Sequence, residues 1–101
     1  MNLGIQGRVA LVTGGSHGIG LAAAHALTSE GCRVAICARD EHRVAQAVHD
    51  LKVQGAEALG VAADVLVAAD IERVMKTVID CWGTIHILVN NTGGPPGGAI
   101  L

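Results

Sequence analysis

The 101-residue chain contains no tyrosine and no phenylalanine, and Trp82 is its only aromatic residue. A core without aromatic rings has to be built from aliphatic side chains. Half of the residues are hydrophobic, which is enough material for one domain and no more. Charge is scarce as well: seven Lys and Arg against nine Asp and Glu leave a net charge of -2. That balance offers no electrostatic case for nucleic acid or an anionic membrane. No apolar run is long enough to span a bilayer. Met1-Asn2-Leu3-Gly4 also lacks the charged and then apolar regions of a signal peptide. Three cysteines (Cys32, Cys37, Cys81) are an odd number without a C-x-x-C pair, so they read as reduced packing residues. His25, His42, His49 and His86 are scattered without ligand spacing and read as solvated or helix-face residues, and no metal site is expected. A cytoplasmic protein is the default.

Glycine, in contrast, is plentiful, and it is concentrated where it matters. Val9-Ala10-Leu11-Val12 is an uninterrupted apolar run that predicts a buried strand. Thr13-Gly14-Gly15-Ser16-His17-Gly18-Ile19-Gly20 follows, and then an alanine-rich helical stretch. A strand, a glycine loop and a helix start make an anion site, because the first amides of a helix lack internal partners and its dipole is positive there. Gly14 permits a sharp turn, Gly18 lets a phosphate approach the backbone, and Gly20 lets the helix lie close to the strand. The spacing is G-x-x-x-G-x-G rather than the commoner G-x-G-x-x-G.

The rest of the chain alternates in type. A first helix is predicted from about Gly18 to Glu30, with Ile19, Ala23, Ala26 and Leu27 on one face and Gly31 as its C-cap. Cys32–Ala38 reads as a strand covered on both faces. Asp40 is placed to cap a second helix carrying Val44, Ala47, Val48 and Leu51, which Gly55 ends. A third strand is predicted over Glu57–Ala63. The third helix bears the stripe Ile71, Val74, Met75, Val78, Ile79 and Trp82 and stops at Gly83. Leu66-Val67 cannot cap it, and Asp70 in its first turn offsets this only in part. Ile85–Asn90 is the fourth strand, followed by a loop through Pro95 and Pro96. This order implies an α/β, Rossmann-type doubly wound parallel sheet, incomplete, with strand order 3-2-1-4 and three helices. Two helices cover one face and the third covers the other. The apolar side chains of strands one and four are then expected to be bare, which invites self-association along the outer edge of strand four.

Three segments together resemble the short-chain dehydrogenase/reductases. Thr13–Gly20 is similar to that family's T-G-x-x-x-G-I-G motif, while Asp64-Val65 and Asn90-Asn91-Thr92-Gly93 are similar to its next two signatures. The resemblance runs from Gly7 to Gly94 and is strongest to the 3-oxoacyl-acyl-carrier-protein reductase type. It implies that Gly14, Ser16, His17, Gly18, Ile19 and Gly20 surround the pyrophosphate and adenosine ribose of a nicotinamide dinucleotide. Asp64 would accept from the adenine amino group with Val65 beside the ring, and Asn91, Thr92 and Gly93 would line the nicotinamide ribose. Asn90 would instead tie strand four to its neighbours, and Asp64 has a loop-capping alternative. The family's catalytic serine and Tyr-x-x-x-Lys pair have no counterpart here, so no catalytic residue is assigned. The 101 residues are expected to be the N-terminal, cofactor-binding half of a single domain. The substrate of the complete enzyme would be a small carbonyl or alcohol. A non-catalytic nucleotide-binding fragment or pseudoenzyme is the alternative.

The end of the second strand bears on the cofactor. An acid there would bind the ribose 2′-hydroxyl of NAD(H), whereas an arginine accommodates the 2′-phosphate of NADP(H). The sequence has Ala38-Arg39, with Asp40 one residue too far along. NADP(H) is therefore expected over NAD(H), with Arg39 as its phosphate ligand.

Overall fold

The structure, a computed structural model, describes residues 4–16 and 18–91. His17, Thr92 and Gly93, expected at the cofactor site, lie outside the described residues, as does the Pro95-Pro96 loop. Four strands alternate with three helices: β1 (Val9–Thr13), α1 (Gly18–Ser29), β2 (Arg33–Ala38), α2 (Glu41–Val53), β3 (Ala58–Ala62), α3 (Ala68–Trp82) and β4 (Ile87–Asn90). All pairings are parallel and the order is β3-β2-β1-β4, as the βα alternation predicts.

Alternation along the strands divides the core into two layers. Ala10, Val12, Val34 and Ile36 point one way, onto Ala24 of α1 and Val44, Ala47 and Leu51 of α2. Val9, Leu11, Ala35, Cys37 and Val61 point the other way, onto Val74 and Val78 of α3. Aliphatic side chains fill both layers closely. Ile36 is fully buried, and truncating such a residue to alanine costs about 2–5 kcal/mol.

The helix ends follow local chemistry. Asp40 caps α2, its side chain accepting from the Arg43 amide. Val67 precedes α3 without a side-chain cap, and Gly83 follows it in the left-handed region, φ 84.

Four expectations are corrected. The buried residues of α1 are Gly20 and Ala24; of the expected stripe Leu27 packs against the core, while Ile19 is 79% exposed. An alanine-rich helix has so little contrast between its faces that periodicity cannot phase it. β1 is buried along its whole length because α1 covers one of its faces and α3 the other. The bare position is Leu88 of β4, 59% exposed. Cys81 is exposed rather than packed. Finally, His86 is exposed but not simply solvated: its Nδ1 accepts the Val9 amide at 2.9 Å, at the start of β1.

Candidate functional site: the carboxyl ends of β1 to β4

The glycine loop leaves β1 at Thr13. Gly14 still donates its amide to the Cys37 carbonyl, 2.8 Å away, so the sheet ladder runs one residue past the strand. The chain then turns at Gly14 with φ 64, a conformation that disfavours any residue with a Cβ. A side chain there would collide with the Asn91 carbonyl, and one at Gly20 would meet the Gly14 carbonyl. Gly18 is different, because among the described residues nothing but its chain neighbours lies within 4 Å of where its Cβ would stand. The backbone is therefore open to an approaching group where α1 begins. No acid lies in the first turn of α1, so nothing on the helix offsets the positive end of its dipole. Ser16 is buried within the loop, while Ile19 stands out beside it.

Thr13 joins this loop to β4. Its hydroxyl accepts the Asn91 amide at 2.8 Å and lies 3.1 Å from Asn90 Oδ1 and 3.3 Å from the Val89 carbonyl, either of which can take its proton. The two asparagines thus differ in place. Asn90 makes the expected tie between strands, and it also lines a cavity of about 220 Å³. Asn91 turns inward, its amide nitrogen 2.8 Å from where a Gly20 Cβ would stand.

That cavity opens between β1, β4 and α3 and is lined by Thr13, Val65, Ile71, Met75 and Leu88 as well as Asn90. Cys37 also borders it. Burial pushes its thiol up, against a smaller opposing effect of the Gly14 amide. Asp64 precedes Val65 in the chain, and its Oδ1 accepts the Leu66 amide at 2.9 Å. The loop-capping alternative is therefore realised with one oxygen. Its own amide donates to Asp70 Oδ2 at 2.8 Å.

At the end of β2, Arg39 is exposed and Asp40 is occupied. Asp40 accepts the Arg43 amide at 3.1 Å and faces the Arg43 guanidinium at 3.6 Å. That amide first, and the nearby charges of Arg43 and His42 less, hold its carboxyl below the usual range.

Thr13 is a site residue that the sequence did not single out as such. For Thr13 a signal was present: a polar residue ending an apolar strand has to find buried partners.

A glycine loop leading into a helix start, at the carboxyl end of an inner strand of a 3-2-1-4 parallel sheet, defines a Rossmann-type fold. The sequence profile of the family described as short chain dehydrogenase matches residues 8–100, and the chain belongs to that family. A Streptomyces violaceoruber protein named as ketoacyl reductase 1 of the granaticin polyketide synthase is 46% identical over 91 residues, covering 90% of this chain and 34% of its own length. The L-sorbose reductase of Gluconobacter frateurii, solved with NADPH and L-sorbose, superposes with a TM-score of 0.90 at 40% identity, over 93% of this chain and 36% of its own. A short-chain dehydrogenase/reductase from Burkholderia phymatum, solved with NAD, gives 0.81 at 32% identity, over 83% of this chain and 30% of its own. The chain therefore spans about a third of the relatives it matches. Among the described residues no helix is long and apolar enough to cross a membrane.

Proposed function

We propose that these 101 residues are the cofactor-binding part of an NADP(H)-dependent short-chain oxidoreductase that transfers hydride between the nicotinamide and a carbonyl or alcohol carbon. The observation that carries the cofactor choice is the end of β2. The first acid after it, Asp40, is committed to capping α2, while Arg39 is exposed at the strand end. A ribose 2′-hydroxyl finds no carboxylate there, and a 2′-phosphate finds a guanidinium. The NADPH-bound sorbose reductase supports this reading, and the NAD-bound neighbour shows that the family fold admits both cofactors. Gly14, Ser16, His17, Gly18, Ile19 and Gly20 would hold the pyrophosphate, Asp64 and Val65 the adenine, and Asn91, Thr92 and Gly93 the nicotinamide ribose. Asn90 joins them because it faces the cavity beside Val65.

The family resemblance calls for a tyrosine as proton donor, and the chain has none. We therefore expect these residues alone to bind cofactor without turning over a carbonyl, since general acid–base help is worth ~10²–10⁴-fold. Turnover of a ketone with NADPH above a buffer control would refute that.

Paired titrations of the wild type and Arg39→Ala with NADPH and NADH test the cofactor choice. Loss of a charge-assisted pair of ~1.5–3 kcal/mol weakens NADPH binding about ten- to a hundredfold and leaves NADH nearly unchanged. Tighter NADH than NADPH binding by the wild type would overturn the assignment, and equal losses would make Arg39 structural.

A further inference from the structure

The β3–α3 loop is fastened from one side by two α3 residues that nothing so far assigns to the site. α3 has no side chain at its N-cap, because Val67 stands there. Asp70 lies in its first turn, and instead of capping its own helix it reaches back along the chain. Its Oδ2 accepts the Asp64 amide at 2.8 Å, and its Oδ1 lies 3.7 Å from Arg73 Nη2. That same Arg73 nitrogen donates to the Ala62 carbonyl at 2.9 Å. Asp64 and Val65 are thus held between an anchored carbonyl before them and a turn after them. In that turn Asp64 Oδ1 takes the Leu66 amide and the Asp64 carbonyl takes the Val67 amide.

We infer that Asp70, supported by Arg73, is a positioning residue for the adenine end of the dinucleotide. The inference rests on the reading that Asp64 and Val65 meet the adenine. The link to Asp64 is the stronger of the two, being a hydrogen bond from an amide to a carboxylate. The ion pair to Arg73 is long and partly exposed, so it steers Asp70 more than it stabilises anything. A loop already in its bound shape loses less freedom on binding, so the clamp acts on affinity through preorganisation.

The test separates this role from a general one in folding. Wild type, Asp70→Ala and Asp70→Asn are titrated with NADPH, with adenosine 2′,5′-bisphosphate for the adenine half, and with reduced nicotinamide mononucleotide for the other half. Thermal midpoints are recorded alongside. Asp70→Ala is expected to weaken NADPH and the bisphosphate about tenfold, the scale of one charge-assisted hydrogen bond, and to leave the mononucleotide unchanged. Asp70→Asn still offers an oxygen to the Asp64 amide and should stay within about threefold of wild type, since it keeps that hydrogen bond in a neutral form and loses a long ion pair. Unchanged bisphosphate binding in Asp70→Ala overturns the inference alone, as do equal losses in both halves that track the thermal midpoint. A wild type that binds none of the three ligands removes the cofactor reading and this inference with it.

Discussion

Thr13 concentrates more structure in one hydroxyl than any other residue near the site, because it joins the strand that carries the glycine loop to the strand that carries both asparagines. Thr13→Ala strands the Asn91 amide in a part-buried place, which costs about 1–3 kcal/mol, whereas Thr13→Ser keeps the oxygen and should recover most of it. Urea unfolding of both variants checks this, and an alanine variant as stable as the serine one would show that water replaces the hydroxyl. The cysteines respond to burial in the same local way. Cys32 and Cys37 are buried with thiols pushed up, first by desolvation, and for Cys32 also by Glu30. Cys81 is exposed. A thiol reagent on the native chain should label Cys81 first and leave the other two until denaturant is added, because the reactive species is an accessible thiolate. Mass spectrometry with a single label on Cys37 would contradict the packing described.

At the scale of elements, what the sequence could reveal is what depends on neighbours a few residues apart. The cap of α2 is such a case: Asp40, its third-residue amide at Arg43 and the stripe Val44, Ala47 and Leu51 all lie within one short segment. So is the Gly83 stop of α3. Illegible features were those that join distant segments or rest on weak contrast. The bond from Val9 to His86 spans 77 positions, and the phasing of α1 turned on alanines that look alike on every side. Asp70 was visible as a first-turn acid, but its bond to Asp64 requires knowing how tightly the loop folds back. The α2 cap also gives a pH dependence of definite sign. The Asp40 carboxyl is held below its ordinary value of 3.8, so the cap contributes fully above that value. The contribution fades as pH falls through the lower folded value. Asp40→Asn keeps an acceptor but does not titrate. The stability difference between wild type and Asp40→Asn should therefore shrink on acidification below 3.8, followed by circular dichroism in acid titrations. A difference that stays constant from neutral pH to pH ~2 would show that the charge contributes nothing to the cap.

Across the whole molecule the two faces of the sheet are unequally covered. Among the described residues α1 and α2 bury one face from β3 to β1, while α3 is the one helix on the other. The deficit falls at the edge strand: β4 pairs only with β1, and among the described residues its outer side has no strand beside it. Its sequence, Ile87-Leu88-Val89, carries no charge to discourage another strand from adding there. Leu88 is 59% exposed, and Met75 of α3 borders the same cavity. Ile79, also on α3, adds a further exposed apolar side chain at 44%. An open edge next to an apolar face favours association, because pairing satisfies the backbone while burying hydrocarbon. We therefore propose that the 101-residue chain by itself self-associates through β4. Sedimentation velocity over a range of concentrations should show a mass above that of one chain. Leu88→Lys, at a position exposed enough to accept a charge, should return it toward the monomer without altering its far-ultraviolet circular dichroism. A wild-type chain that remains a monodisperse monomer throughout would mean that the edge is covered. Association that survives Leu88→Lys unchanged would move the contact away from this face.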